Sequence, residues 1–171
     1  MEHVKIVGLG VVASAAYGIA HDMITAHLCI EYFTRDHPML VPTESPVLLA
    51  VVWGVAATWW MGAFLGLLLA AAARWGRYKP LTARELLPSV VRLFVFVGVC
   101  AFVAGALGYW ISHLGGFHRY HFNPEWATAD KTPRYWAVAA AHTTSYVVGA
   151  ISGVGLAIKT WLQRKHRGAN S

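Results

Sequence analysis

Apolar residues run in four long blocks separated by short polar ones: roughly residues 4–20, 46–73, 89–113 and 135–162. A hydrocarbon layer of roughly 30 Å takes about 20 residues of helix to cross. The last three blocks meet that length. The first is near the short limit alone, but its pattern allows the helix to run on to about Phe33 before Pro38, Pro42 and Pro46 break it. The pattern therefore predicts an all-α fold, a four-transmembrane-helix bundle in one integral domain over 1–171, with helices at about 4–33, 46–73, 89–113 and 135–162. Local signals agree with these bounds. Ser45-Pro46 is a helix start, with a capping hydroxyl before a proline at the first helical position. Thr82-x-x-Glu85 has the spacing of a capping box, opening an amphipathic turn or the third helix. Gly62-x-x-x-Gly66 and Gly149-x-x-x-Gly153 offer small faces on which neighbouring helices pack closely.

Composition places these blocks in lipid. Of 171 residues 57% are hydrophobic and only 13% charged, and the eight Trp and seven Tyr suit a chain with aromatic side chains at headgroup level. The first block also fits the apolar core of a cleaved signal peptide with an Ala13-Ser14-Ala15 site, a reading weakened by the lack of a long hydrophilic domain after it. The formal charge of +6 does not point to nucleic acid, because the basic residues flank the spans. Lys5, the 74–84 loop and the 159–167 tail are basic, whereas the first-to-second loop sets one Arg against Asp22, Glu31, Asp36 and Glu44. The positive-inside rule then puts both termini in the cytoplasm and the loops near 34–45 and 114–133 outside, in a bacterium facing the periplasm across the inner membrane. Cys29 and Cys100 are read as two free thiols, since one sits near a helix end and the other deep in an apolar run.

Within this frame, metal-capable side chains gather at one face. His21, His27, His37, His113, His118, His121 and His142 make seven of the nine histidines, and all fall at or near the outer ends of the predicted spans. Helix propensity does not account for that. The leading metal candidates are His21, Asp22, Glu31 and His142, with His37 and His113 weaker, and the donor set suits Zn, Cu or Fe. Haem ranks below a divalent metal ion, because only His142 lies deep enough for an apolar haem pocket. Azimuth and rise complicate the set. On a straight helix His21, Thr25, Leu28 and Tyr32 share one stripe and His27 and Glu31 another, and His21 and Glu31 are about 15 Å apart along the axis, so both join one site only if the helix breaks between them. The residues divide into an inner cluster of His21, Asp22 and His142, which is favoured, and an outer one of His27, Glu31 and His37. The polar run Thr143 to Tyr146 beside His142 serves equally as a helix contact, a proton path or a pocket for a quinone headgroup.

No nucleophilic triad, phosphate loop or dinucleotide fingerprint is present, so the chemistry of classical soluble enzymes finds no support. The string His21-Asp22-x-x-Thr25-Ala26-x-x-Cys29-x-Glu31-Tyr32-Phe33-Thr34-x-x-His37-Pro38, with Ala141-His142-x-x-Ser145-Tyr146 in the last helix, resembles a group of small bacterial integral membrane proteins of unassigned function. The resemblance implies a bacterial inner-membrane protein with four spans and carries no activity. Three functions compete: a protein binding a metal or redox cofactor at the outer-face cluster, a non-catalytic accessory protein docking a membrane partner or a second copy of itself, and an oligomeric transporter. The absence of a broken span or an internal repeat counts against the third.

Overall fold

The computed structural model describes residues 1–116 and 124–169, with side chains through His166. The helices are α1 (Glu2–Leu28), α2 (Glu31–Thr34), α3 (Pro46–Ala56), α4 (Trp59–Arg74), α5 (Ala83–His113) and α6 (Thr132–Ala169). Among the described residues there is no strand. Four helical units, α1, α3 continued by α4, α5 and α6, are long and apolar enough to cross a membrane. The distribution of side chains is that of a protein whose outer solvent is hydrocarbon. Val12, Phe64, Phe102 and Ile151 are each more than half exposed, while Ser14, Asp22, Thr25 and Thr160 are buried.

Three boundaries depart from the apolar pattern, each for a local reason. The first helix stops at Leu28 instead of running to Phe33, because Cys29 turns extended (φ −149°, ψ 90°) and the chain folds into the single turn of α2. The third begins at Ala83, six residues before Ser89, because both halves of the predicted capping box form at Thr82 and Glu85. Pro88 is carried inside it near the start, where few intrahelical bonds are lost. The fourth begins at Thr132 and runs on to Ala169, beyond the apolar block. The second span, expected to run unbroken, is instead interrupted at Ala57–Thr58, where the Thr58 hydroxyl bonds the Gly54 carbonyl at 2.6 Å and the Ser14 carbonyl of α1 at 3.0 Å.

Glycine sets how closely α1 approaches α3 and α4. A Cβ on Gly10 would stand 2.5 Å from the Gly62 carbonyl oxygen and 3.0 Å from the Gly66 Cα, and one on Gly18 would strike the Gly54 carbonyl. The expected role of Gly62 and Gly66 is thus seen, with α1 as the partner. The Gly149 and Gly153 pair behaves differently. A Cβ on Gly149 would meet nothing within 4 Å, and one on Gly153 would meet only the Leu65 side chain. Both border a cavity, but Gly153 is packed closely on the Leu65 side chain of α4 while Gly149 faces open space.

Contacts at the two ends fix the relative direction of the helices. At one end Glu2 accepts from the Ala83 amide, and the buried Arg164 guanidinium of α6 donates to the carbonyls of Ala72, Trp75, Tyr78 and Lys79. These bonds satisfy carbonyls that the end of α4 and its following loop would leave open. At the other end Lys131 pairs with Glu31, and the Trp126 indole donates to Asp36. The start of α1 and the end of α6 therefore lie at the same end of the bundle.

Candidate functional site

Near the end of the bundle away from the chain termini, α1 and α6 bring His21, Asp22 and His142 together. One ligand-capable atom from each lies within 4.8 Å of the others. The local reason is periodicity: His21 and Thr25 are one turn apart on α1, so both face α6, and Asp22 beside His21 still reaches His142. Asp22 is 4% exposed, which is rare for a carboxylate without a partner. His142 Nε2 stands 3.5 Å from Asp22 Oδ1 and 3.1 Å from Thr25 Oγ1. The Thr25 hydroxyl itself donates to the His21 carbonyl at 3.3 Å, so the His142 N–H is the donor to Thr25. The two imidazole rings meet edge to face, 4.6 Å between centroids. His21 Nε2 is buried and has no hydrogen-bond partner. A buried ring nitrogen left open carries a free-energy cost that a ligand would relieve.

The break at Cys29 covers this cluster. It turns Tyr32 and Phe33 back over the first part of α6, where their rings lie 4.8 and 5.6 Å from that of His142. His37 closes the layer, its Nδ1 bonded to the Tyr32 carbonyl at 2.7 Å and its ring 4.8 Å from that of Tyr32 and 5.0 Å from that of Trp53. The pocket is thus shielded by rings on the outer side. Burial pushes the Tyr32 hydroxyl well above the ordinary phenol range, so it stays a neutral donor.

The remaining candidates lie elsewhere. Glu31 is not gathered into the cluster although the helix does break before it. It turns outward to the Lys131 ammonium at 2.5 Å and to the Cys29 thiol at 3.7 Å. The hydrogen bond from Lys131 holds the Glu31 carboxyl below the usual carboxylate range, and the same bond raises Lys131. Burial raises the Cys29 thiol, which keeps it protonated and unreactive. His113 stacks on Tyr109 at 6.0 Å on an exposed surface, and His27 is exposed with its Nδ1 on the Met23 carbonyl. His37 contributes to the cover and not to the donor set. His118 and His121 lie outside the described residues.

The sequence sets Thr25 and Tyr32 on the His21 stripe of a continuous helix but gives neither a part in the site. Thr25 had a readable signal, its one-turn spacing from His21. Tyr32 had none of use, because its position depends on a two-residue break that apolar patterning does not register.

The donor set of two imidazoles and one carboxylate suits a divalent first-row metal. Bonds of about 2.0–2.2 Å to one ion require donors no more than about 4.4 Å apart, so side-chain shifts of well under 1 Å would close the site. No protein-family model, curated protein or solved structure matches the chain.

Proposed function

We propose that this chain is a multi-pass protein of the bacterial inner membrane that holds a divalent transition-metal ion at His21, Asp22 and His142. The observation that carries the reading is the convergence of these three side chains within 4.8 Å, one of them with an open buried nitrogen. Ionisable groups at such depth are costly and commonly mark function. When bound, the ion would supply Lewis acidity or a redox centre in a water-poor pocket. The chain's own residues do the rest: Thr25 holds the His142 ring in place, and Tyr32 and Phe33 exclude water from the outer side.

Protein purified without chelator and analysed by plasma mass spectrometry is expected to carry close to one Zn, Fe or Cu per chain. His142→Ala and Asp22→Asn should lose it, while Glu31→Gln and His37→Ala should keep it. Equal metal content in all four variants, or none after exposure to micromolar metal, refutes the site. The second reading, an accessory protein in which the cluster only locks α1 to α6, draws on the direct Thr25–His142 bond, and a metal-free wild type with an intact bundle would favour it.

A further inference from the structure

On the flank of the bundle where α1 faces α5, a groove of about 670 Å³ runs alongside a separate inner cavity of about 100 Å³. The groove floor is built from small residues such as Ala16, Ala20 and Gly98. Val95 and Phe102 on its rim are 62% and 75% exposed, so in a bilayer the groove opens sideways onto lipid. Tyr17, His21 and Phe94 line both spaces and form the wall between them. Behind that wall lie Asp22, His142 and the Tyr17–Ser145 hydroxyl pair, 2.7 Å apart. His21, with its open ring nitrogen, is therefore within reach of the membrane interior by a lateral route.

The chemistry of the linings selects among lipid-soluble ligands. Neither space is lined by a Lys or Arg, so a fatty acid or an acidic phospholipid headgroup would be desolvated with no counter-charge, and the Asp22 carboxylate would oppose it. A lipophilic cation would enter past an imidazole and an apolar floor before meeting any carboxylate. A neutral, flat ring with hydroxyl donors avoids both costs: its ring packs against Tyr17 and Phe94, its hydroxyl donates to His21, and an apolar tail lies in the groove. We propose that the α1/α5 groove admits a membrane hydroquinone and presents its hydroxyl to His21. The small turn of the imidazole that this needs frees no existing side-chain bond, since none is made by Nε2. The proposal does not depend on a metal being present.

Gly98 supplies the test. A Cβ there would stand 3.6 Å from Tyr17 Cε2, an ordinary contact with no backbone of another segment beside it, so the branch point of Gly98→Leu is accommodated and the rest of its side chain is expected to occupy the groove that Gly98 lines. Calorimetric titration of chelator-treated, detergent-solubilised protein with decylubiquinol should show saturable binding of one molecule per chain, and prior loading with Zn should compete with it wherever the ion takes His21. Gly98→Leu and His21→Ala should each weaken it at least tenfold, and Gly98→Leu should leave metal content and melting midpoint unchanged. A wild type that takes up no metal yet binds the quinol would remove the metal reading and keep this one. Undiminished binding in Gly98→Leu, no saturable quinol binding, or equally tight binding of palmitate or tetraphenylphosphonium would overturn it.

Discussion

A carboxylate and two imidazoles share one buried spot, whereas the nearby carboxylate of Glu31 finds a lysine, and the contrast shows how single residues divide the work at this end of the bundle. Glu31 and Lys131 tie the short α2 to the start of α6 outside the spans. The Glu31 carboxyl is held below its ordinary value near about 4.3, so its contribution to stability is present above that pH and is lost as pH falls through the lowered value. Lys131 is raised above its ordinary value near about 10.4, so its contribution is present below that pH and is lost as pH rises through the raised value. The tie should hold across the whole range between. In wild type the melting midpoint should fall on acidification below about pH 4, and Glu31→Gln should flatten that limb; parallel profiles for the two proteins would show that the pair contributes nothing. The inner cluster was legible in the sequence because His21, Asp22 and His142 needed only depth and helix direction to meet. Glu31 was not, since its direction follows from the extended Cys29 and from a lysine 100 residues away.

Among the elements, α1 is the organiser, but less by its histidines than by the stripe Gly10, Ser14 and Gly18 at four-residue spacing. This stripe meets Gly62, Gly66 and Gly54, and the Thr58 hydroxyl crosses the break between α3 and α4 to bond the Ser14 carbonyl. Close backbone approach replaces the hydrophobic drive that lipid cannot supply. Gly62→Leu should therefore force α1 and α4 apart and cost about 1–3 kcal/mol, the usual range for overpacking, read as a drop in detergent unfolding midpoint. Gly149→Leu should change it little, since its Cβ enters open space. Equal losses at both positions would mean that the seam is not where α1 meets α4. The Gly-x-x-x-Gly spacing revealed small faces without naming their partners, so it served for Gly62 and misled for Gly149. The capping box at Thr82 was plain in sequence, and only the weight given to apolarity placed the helix start six residues late.

For the whole molecule, the four spans were legible because length and apolarity are imposed by the bilayer and leave little room for alternatives. The proposed orientation rests on charge in combination with the contacts at the ends. The end that holds the start of α1 also holds Lys5, Arg74, Arg77, Lys79 and Arg84, and Arg164 binds the α4–α5 loop there through four carbonyls. This basic loop is thereby fixed to the last helix, so the positive-inside bias acts on both hairpins of the bundle in the same sense. The end carrying the His21 cluster faces the opposite way. A reporter fluorescent only in the cytoplasm should glow when fused after Ser171, and one active only in the periplasm should be silent there. The same pair inserted between Thr43 and Glu44 should give the reverse. A periplasmic signal from the C-terminal fusion would invert the bundle and put the proposed metal site and its ring cover on the cytoplasmic side, where reduced thiols would compete for an ion.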